Sequence, residues 1–220
     1  MKTFVIVTLL LFFTGLAQSQ ESLYIDEKGD TINKNEYLKK WRNKDLLLST
    51  WSHIDKNGKT YYTLKKDLYL KGIFNYSETI KQLKKITNKN FKDSTTILIE
   101  YYFKDDLCTS SSVKNKWDVD RITERKFFTN PIRDELKNEE ITMITLFESG
   151  IIIENKPKRK SEYYYIDKDN YFRNKFFKNP TLCGAYALFK KNGETVIRNG
   201  EYRPDQMAKH LNPEIWKHFF

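Results

Sequence analysis

Hydrophobic positions open the chain as an unbroken block and later recur with the spacings of strands and helices. Residues 4–13 are almost wholly apolar, follow Lys2, and run into Gly15 and Leu16. Ala17-Gln18-Ser19 then sets small residues at the two spaced positions that a signal peptidase reads. Residues 1–19 therefore predict a secretory signal peptide. The block is shorter than the roughly 20 residues of a membrane span. No Cys follows it, which argues against a lipid-anchored protein.

Residues 20–92 read as a small α+β region. Leu23-Tyr24-Ile25 leads into a turn-like Asp26-Glu27-Lys28-Gly29-Asp30, and residues 35–42 predict a helix with Tyr37, Leu38 and Trp41 at helical spacing. Residues 46–54 and 59–68 flank Lys56-Asn57-Gly58. An Asn-Gly pair between β-rich runs is a strong hairpin signal. Ser77 is the expected cap of a helix through Thr87, with Ile80, Leu83 and Ile86 near one face.

Residues 93–220 alternate strand and helix. Residues 95–103 predict a buried strand, residues 117–128 a helix with Val119, Ile122 and Phe127 inward, and Pro131 the start of a second helical piece capped by Asn130. A strand at 141–147, a short helix at 169–177, a hairpin of 184–189 and 194–198 around Asn192-Gly193, and a helix at 203–211 with Met207, Ala208 and Leu211 inward complete the pattern. The order β-α-β-α-β-β-α predicts an α/β domain, a mixed sheet covered on both faces.

Composition narrows the class. The 220 residues are 15% aromatic and 31% charged, which fits a packed body with a heavily charged surface and argues against disorder. The formal charge is +10, spread along the chain and densest around Lys156, Lys158, Arg159 and Lys160. A solvated loop explains that cluster better than a nucleic-acid patch, because no groove-reading motif accompanies it.

Specific residues in the second region carry a resemblance. Ala185-Tyr186-Ala187-Leu188-Phe189, the turn at Asn192-Gly193 and the return Glu194-Thr195-Val196, with Gly200 ahead of the last helix, resemble the C-terminal part of the thioredoxin-like superfamily. Ile97-Leu98-Ile99-Glu100-Tyr101-Tyr102-Phe103 resembles the strand that delivers that family's active-site loop. The resemblance spans about residues 94–211 and implies a thioredoxin-like mixed sheet flanked by helices, behind the small α+β region and its hairpin. The family's Cys-x-x-Cys is missing: the loop holds Cys108 alone, with Asp105 and Ser111 at the spaced positions. The place of the family's proline falls on Gly184, just after Cys183, and Pro180 lies earlier in the loop.

An even cysteine count in an exported chain favours a disulfide. The family register implies that Cys183 faces the loop of Cys108. Three states stay open: a static cross-link, a reversible disulfide, and two unpaired thiols. A helix N-terminus would lower the Cys108 pKa, and Asp105 and Asp106 would oppose that, with Lys104 offsetting part of their effect.

Other chemistry is sparse. Asp105, Asp106 and Glu100 read as a polar loop and not a shared acidic site, since neighbours in extended chain point apart. His53, His210 and His218 are scattered, without metal-ligand spacing. Thr109 and residues 110–112 lack a histidine partner, and no phosphate loop appears. The aromatics Tyr163, Tyr164, Tyr165, Tyr171, Phe172, Phe176 and Phe177 read as core, and Trp216, Phe219 and Phe220 as a docked C-terminus. The expectation is an exported protein, periplasmic or secreted, without a dithiol motif, with a binding or structural envelope role and a Cys108–Cys183 disulfide. One alternative is a thiol-disulfide oxidoreductase or thiol peroxidase with Cys108 as nucleophile and Cys183 as resolving thiol; another is a binding module for an anionic partner. No metal or other cofactor is expected. The expected partner is an envelope protein, with no nucleic acid and no stable membrane insertion after signal cleavage.

Overall fold

The structure is a computed structural model that describes residues 22–92, 95–109, 115–156 and 159–220. The expected signal peptide, residues 1–19, and the hydroxyls at 110–112 lie outside the described residues.

A small sheet comes first. Its strands are β1 (Ser22–Ile25), β2 (Thr31–Ile32), β3 (Ser49–Ile54) and β4 (Thr60–Lys65), in the order β2-β1-β4-β3. Helix α1 (Lys34–Arg42) links β2 to this sheet's second half, and Asn33 caps it by accepting from the Glu36 N–H. The expected hairpin is β3 against β4. Its turn is held by Asp55, whose carboxylate accepts from the Asn57 and Lys59 amides, and Gly58 supplies the required positive φ of 81°. Tyr37, Leu48 and Leu64 form a compact local core.

The larger sheet is built from β5 (Tyr69–Ile73), β6 (Thr96–Tyr102), β8 (Ile141–Glu148), β10 (Tyr164–Asp167), β11 (Ala185–Phe189) and β12 (Glu194–Asn199), in the order β10-β8-β6-β11-β12-β5. β6, β8 and β10 run parallel. β11 is antiparallel to β6, and β12 and β5 continue antiparallel beyond it. A two-residue parallel pair, β7 (Lys116–Trp117) with β9 (Ile152–Ile153), lies apart. Helices α2 (Tyr76–Thr87), α3 (Val119–Asn138), α4 (Tyr171–Lys175) and α5 (Pro213–Trp216), with a 3-10 segment at Pro204–Leu211, complete the chain. Strand β5 means that the larger sheet draws on residues N-terminal to position 93.

Strand alternation splits the core in two. Ile97, Ile99 and Tyr101 join Ile80 and Leu83 of α2 and Phe172 of α4 on one side. Leu98 joins Leu136 of α3, Met207 and Trp216 on the other. This is the expected α/β mixed sheet with helices on both faces. Tyr163, Tyr164, Tyr165, Phe172, Phe176 and Phe177 are core residues, as the sequence predicts. The C-terminus docks through buried Trp216, whose indole N–H donates to Glu194 at 2.7 Å, and through Phe219 against Tyr69, while Phe220 stays exposed.

Three local expectations are corrected. Asn75, not Ser77, caps α2, accepting from the Glu78 N–H at 2.9 Å. α3 does not break at Pro131 but runs through it for 20 residues. The missing proline N–H deprives the carbonyl of Phe127, a surface residue, of its donor, which is the mildest place for that loss. Asn130 accordingly caps nothing and accepts from the Tyr163 hydroxyl at 2.9 Å. Finally, of Val119, Ile122 and Phe127, only Ile122 is buried, and Phe127 is 75% exposed. The inward stripe of α3 is Ile122, Arg125, Thr129 and Leu136, and polar residues at two of those positions mask its period.

Arg125 is inward because Glu100, in the middle of β6 and fully buried, needs it. The Glu100 carboxylate accepts from the Arg125 guanidinium, from the hydroxyls of Tyr102 (3.0 Å) and Tyr202 (2.9 Å), and from Thr145 (3.1 Å). Burial opposes the Arg125 charge, but Glu100 outweighs it and holds the guanidinium protonated. Removing one partner of a buried pair costs about 3–5 kcal/mol. Arg125→Met should lower stability to chemical denaturation by that order, and Glu100→Gln in the same chain should restore part of it. Equal loss in the single and double variants would show that no charge is stranded.

Candidate functional site

Register brings the two cysteines together. Ala185, first in β11, pairs with Tyr101 near the end of β6. The chain entering β11 and the chain leaving β6 therefore meet at one end of the sheet. There Cys108 and Cys183 form a disulfide across 75 residues of sequence, with Cα atoms 5.0 Å apart. The unpaired-thiol state is overturned, and no free cysteine exists.

The approach to β11 is unusual. Cys183 has φ 64° and Gly184 φ 85°. A Cβ on Gly184 would lie 2.7 Å from the Tyr101 carbonyl oxygen. Glycine thus stands where the resemblance places a proline because the two strands close in too tightly for a side chain. The described residues contain no cis peptide bond.

The expected helix N-terminus at Cys108 falls on residues 110–114, which lie outside the described residues. Among the described residues the next helix after Cys108 is α3, which starts only at Val119, capped by Asp118. What faces the cysteines is Asp106. Its Oδ1 accepts from the Cys108 N–H at 2.9 Å and its Oδ2 from the Cys183 N–H at 3.1 Å. One carboxylate therefore bridges the backbones on both sides of the disulfide. Burial pushes its pKa up to about 6, against the two amide donors and the Arg121 charge.

Asp105 is kept apart from Asp106 by a turn in which it takes a left-handed φ of 58°, not by strand alternation. It is exposed and makes reciprocal hydrogen bonds with Asn115 at 2.7 and 2.6 Å. Asp105, Asp106 and Glu100 thus serve three separate settings, and no cluster of metal-ligating side chains occurs among the described residues. The histidines stay scattered: His53 stacks on Tyr61, and His210 Nδ1 meets the Tyr186 hydroxyl at 2.8 Å.

The disulfide is half-buried and borders a cleft of about 360 Å³ shared by Tyr102, Trp117, Arg121, Phe128 and Tyr202. The Arg121 guanidinium lies 3.7 Å over the Trp117 ring. Sequence reasoning found both sulfurs but missed the bridging role of Asp106 and the partners of Glu100. The only hint was an acid two residues before Cys108, which is equally common in plain loops.

Asp106 predicts a sign for pH dependence. Its pKa rises from an ordinary 3.8 to about 6 on folding. The folded state therefore binds its proton more tightly, and the associated stability is complete below pH 4 and lost as pH rises through 6. At about 1.4 kcal/mol per unit, the loss is of the order of 3 kcal/mol. Denaturation of the wild type and of Asp106→Asn should show the variant gaining by that order between pH 4 and pH 7. A constant difference would contradict a buried, ionising Asp106.

No family model matches the chain, and no curated protein matches it in sequence. Among solved structures, the chain is similar to an exposed lipoprotein thioredoxin from Streptococcus pneumoniae, at 11% identity, over 74% of this chain and 98% of that one, with a TM-score of 0.35. It is similar to a protein assigned as the thiol:disulfide interchange protein DsbE from Chlorobium tepidum, at 9% identity, over 78% and 94%, with a TM-score of 0.36. It is also similar to the thioredoxin domain of a thiol-disulfide oxidoreductase from Bacteroides vulgatus, at 9% identity, over 76% and 93%, with a TM-score of 0.32.

Proposed function

We propose that this chain is an exported protein with a binding or structural role in the cell envelope, built on a thioredoxin-like scaffold whose Cys108–Cys183 bond is a fixed cross-link. The carrying observation is that the two cysteines join the loops of neighbouring central strands while Asp106 takes the amide hydrogens of both. Thiol exchange needs a stabilised thiolate. Here the Asp106 carboxylate is bonded to the backbones of both cysteines, and a second anion beside it is disfavoured. The apolar block at residues 4–13 and the paired cysteines both fit an oxidising compartment. No helix of the described residues is long and apolar enough to cross a membrane. The partner in this reading is another envelope protein.

A second reading keeps the same two residues as an exchange pair, with Cys108 as nucleophile and Cys183 as resolving thiol. It is favoured by the half-buried position of the bond beside a cleft that contains Arg121 and Arg125. A third, a binding module for an anionic partner, predicts steep salt dependence of association.

Two variants separate cross-link from exchange. In the chain-entropy model, a loop of this length is worth roughly 4 kcal/mol. Replacing both cysteines by serine should lower stability by that order. Cys183→Ser alone, expressed with its leader, should trap no mixed disulfide with envelope proteins on non-reducing gels. Recovery of a discrete mixed disulfide through Cys108 would replace the cross-link reading with the exchange one.

A further inference from the structure

A second cavity lies between residues 43–50 of the small sheet's approach, the end of β12 and the Pro204–Leu211 segment, and adjoins the disulfide cleft through Glu201 and Tyr202. It encloses about 720 Å³, a size that suits a small organic molecule. Its floor is apolar and aromatic: Leu48 and Tyr186 are buried, and Tyr69 packs its ring 5.3 Å from the His210 imidazole. The Tyr186 hydroxyl and His210 Nδ1 meet at 2.8 Å within this wall, so one fixed polar pair interrupts it.

Charge around the cavity is one-sided. Lys44, Arg198, Arg203 and Lys209 line it, against a single carboxylate, Glu201. Arg203 is paired with Asp205. Lys44, Arg198 and Lys209 form no ion pair among the described residues. Arg198 is nonetheless held in place, because its Nη1 donates to the carbonyls of Asn199 (3.4 Å) and Gly200 (2.9 Å). Both bonds leave from one nitrogen, so the rest of the guanidinium remains for an anion. The cationic field also acts on His210, whose pKa is pushed down by burial and then by Arg198.

We propose that this cleft binds a small organic acid: a single carboxylate seated at Arg198 and Lys209, on an aromatic or branched apolar body resting against Tyr69, Tyr186 and Leu48. An apolar floor selects the body, and the unpaired cations select the charge. A neutral analogue would leave the cations without a partner, and a bare inorganic anion would leave the floor wet. This site stands independently of whether the disulfide is static or exchanging.

2-Naphthoate and its neutral isostere 2-naphthamide are the probes, added to the full mature chain and followed by calorimetry and by the NMR signals of the His210 ring. Saturable naphthoate binding that shifts the His210 signals, with naphthamide about tenfold weaker or more, is the expected result. Arg198→Met should weaken naphthoate by a similar factor. Lys209→Met, at an exposed position outside the core, should weaken it too and serves if the first variant does not fold. Absence of saturable binding at millimolar naphthoate, equal binding of naphthamide, or binding that leaves His210 unmoved would each overturn the site.

Discussion

One end of the larger sheet is held by a covalent bond with a buried carboxylate beside it. β6 leads out into the Cys108 loop, β11 is entered from Cys183, and the disulfide closes the gap. Asp106 occupies the space between the two backbones and accepts an amide hydrogen from each. Two half-buried N–H groups are thereby given an acceptor, and leaving a buried donor without one costs up to about 1–3 kcal/mol. The cost appears on the carboxyl, whose ionisation is made harder by burial.

A second buried acid does related work deeper in the sheet. Glu100 sits in a strand whose neighbours are Ile97, Leu98, Ile99 and Tyr101, all fully buried. Its acceptors are filled by Arg125 from α3, Thr145 from β8 and Tyr202 from the C-terminal segment. Three elements distant in sequence are therefore referred to one carboxylate. Hydrophobic burial alone does not specify such a register, since apolar side chains pack acceptably in several arrangements. A buried charge accepts only arrangements in which its partners arrive.

Much of the fold was legible because its signals are local. The two Asn-Gly turns at Asn57-Gly58 and Asn192-Gly193 are each followed by the expected return strand. The apolar runs at 97–103 and 185–189 became the central strands. The sulfur pairing was legible in the even cysteine count, and the resemblance set Cys183 at the start of the strand beside Cys108. α3 was misread where tertiary demands override local preference. Arg125 and Thr129 face inward for Glu100 and Tyr163, so the apolar period fails, and Phe127 and Phe128 are left at the surface. Asp106 was invisible as a bridge because its partners are backbone amides, which every sequence carries.

Whether the bond is a fixture or a reagent is a question of its reduction potential. Equilibration of the mature chain with graded dithiothreitol, read by thiol alkylation, measures that potential directly. A structural cross-link should resist reduction and lie below about −300 mV. A value in the range of about −180 to −120 mV, where oxidising exchange proteins lie, would contradict it and identify Cys108 and Cys183 as a working redox couple.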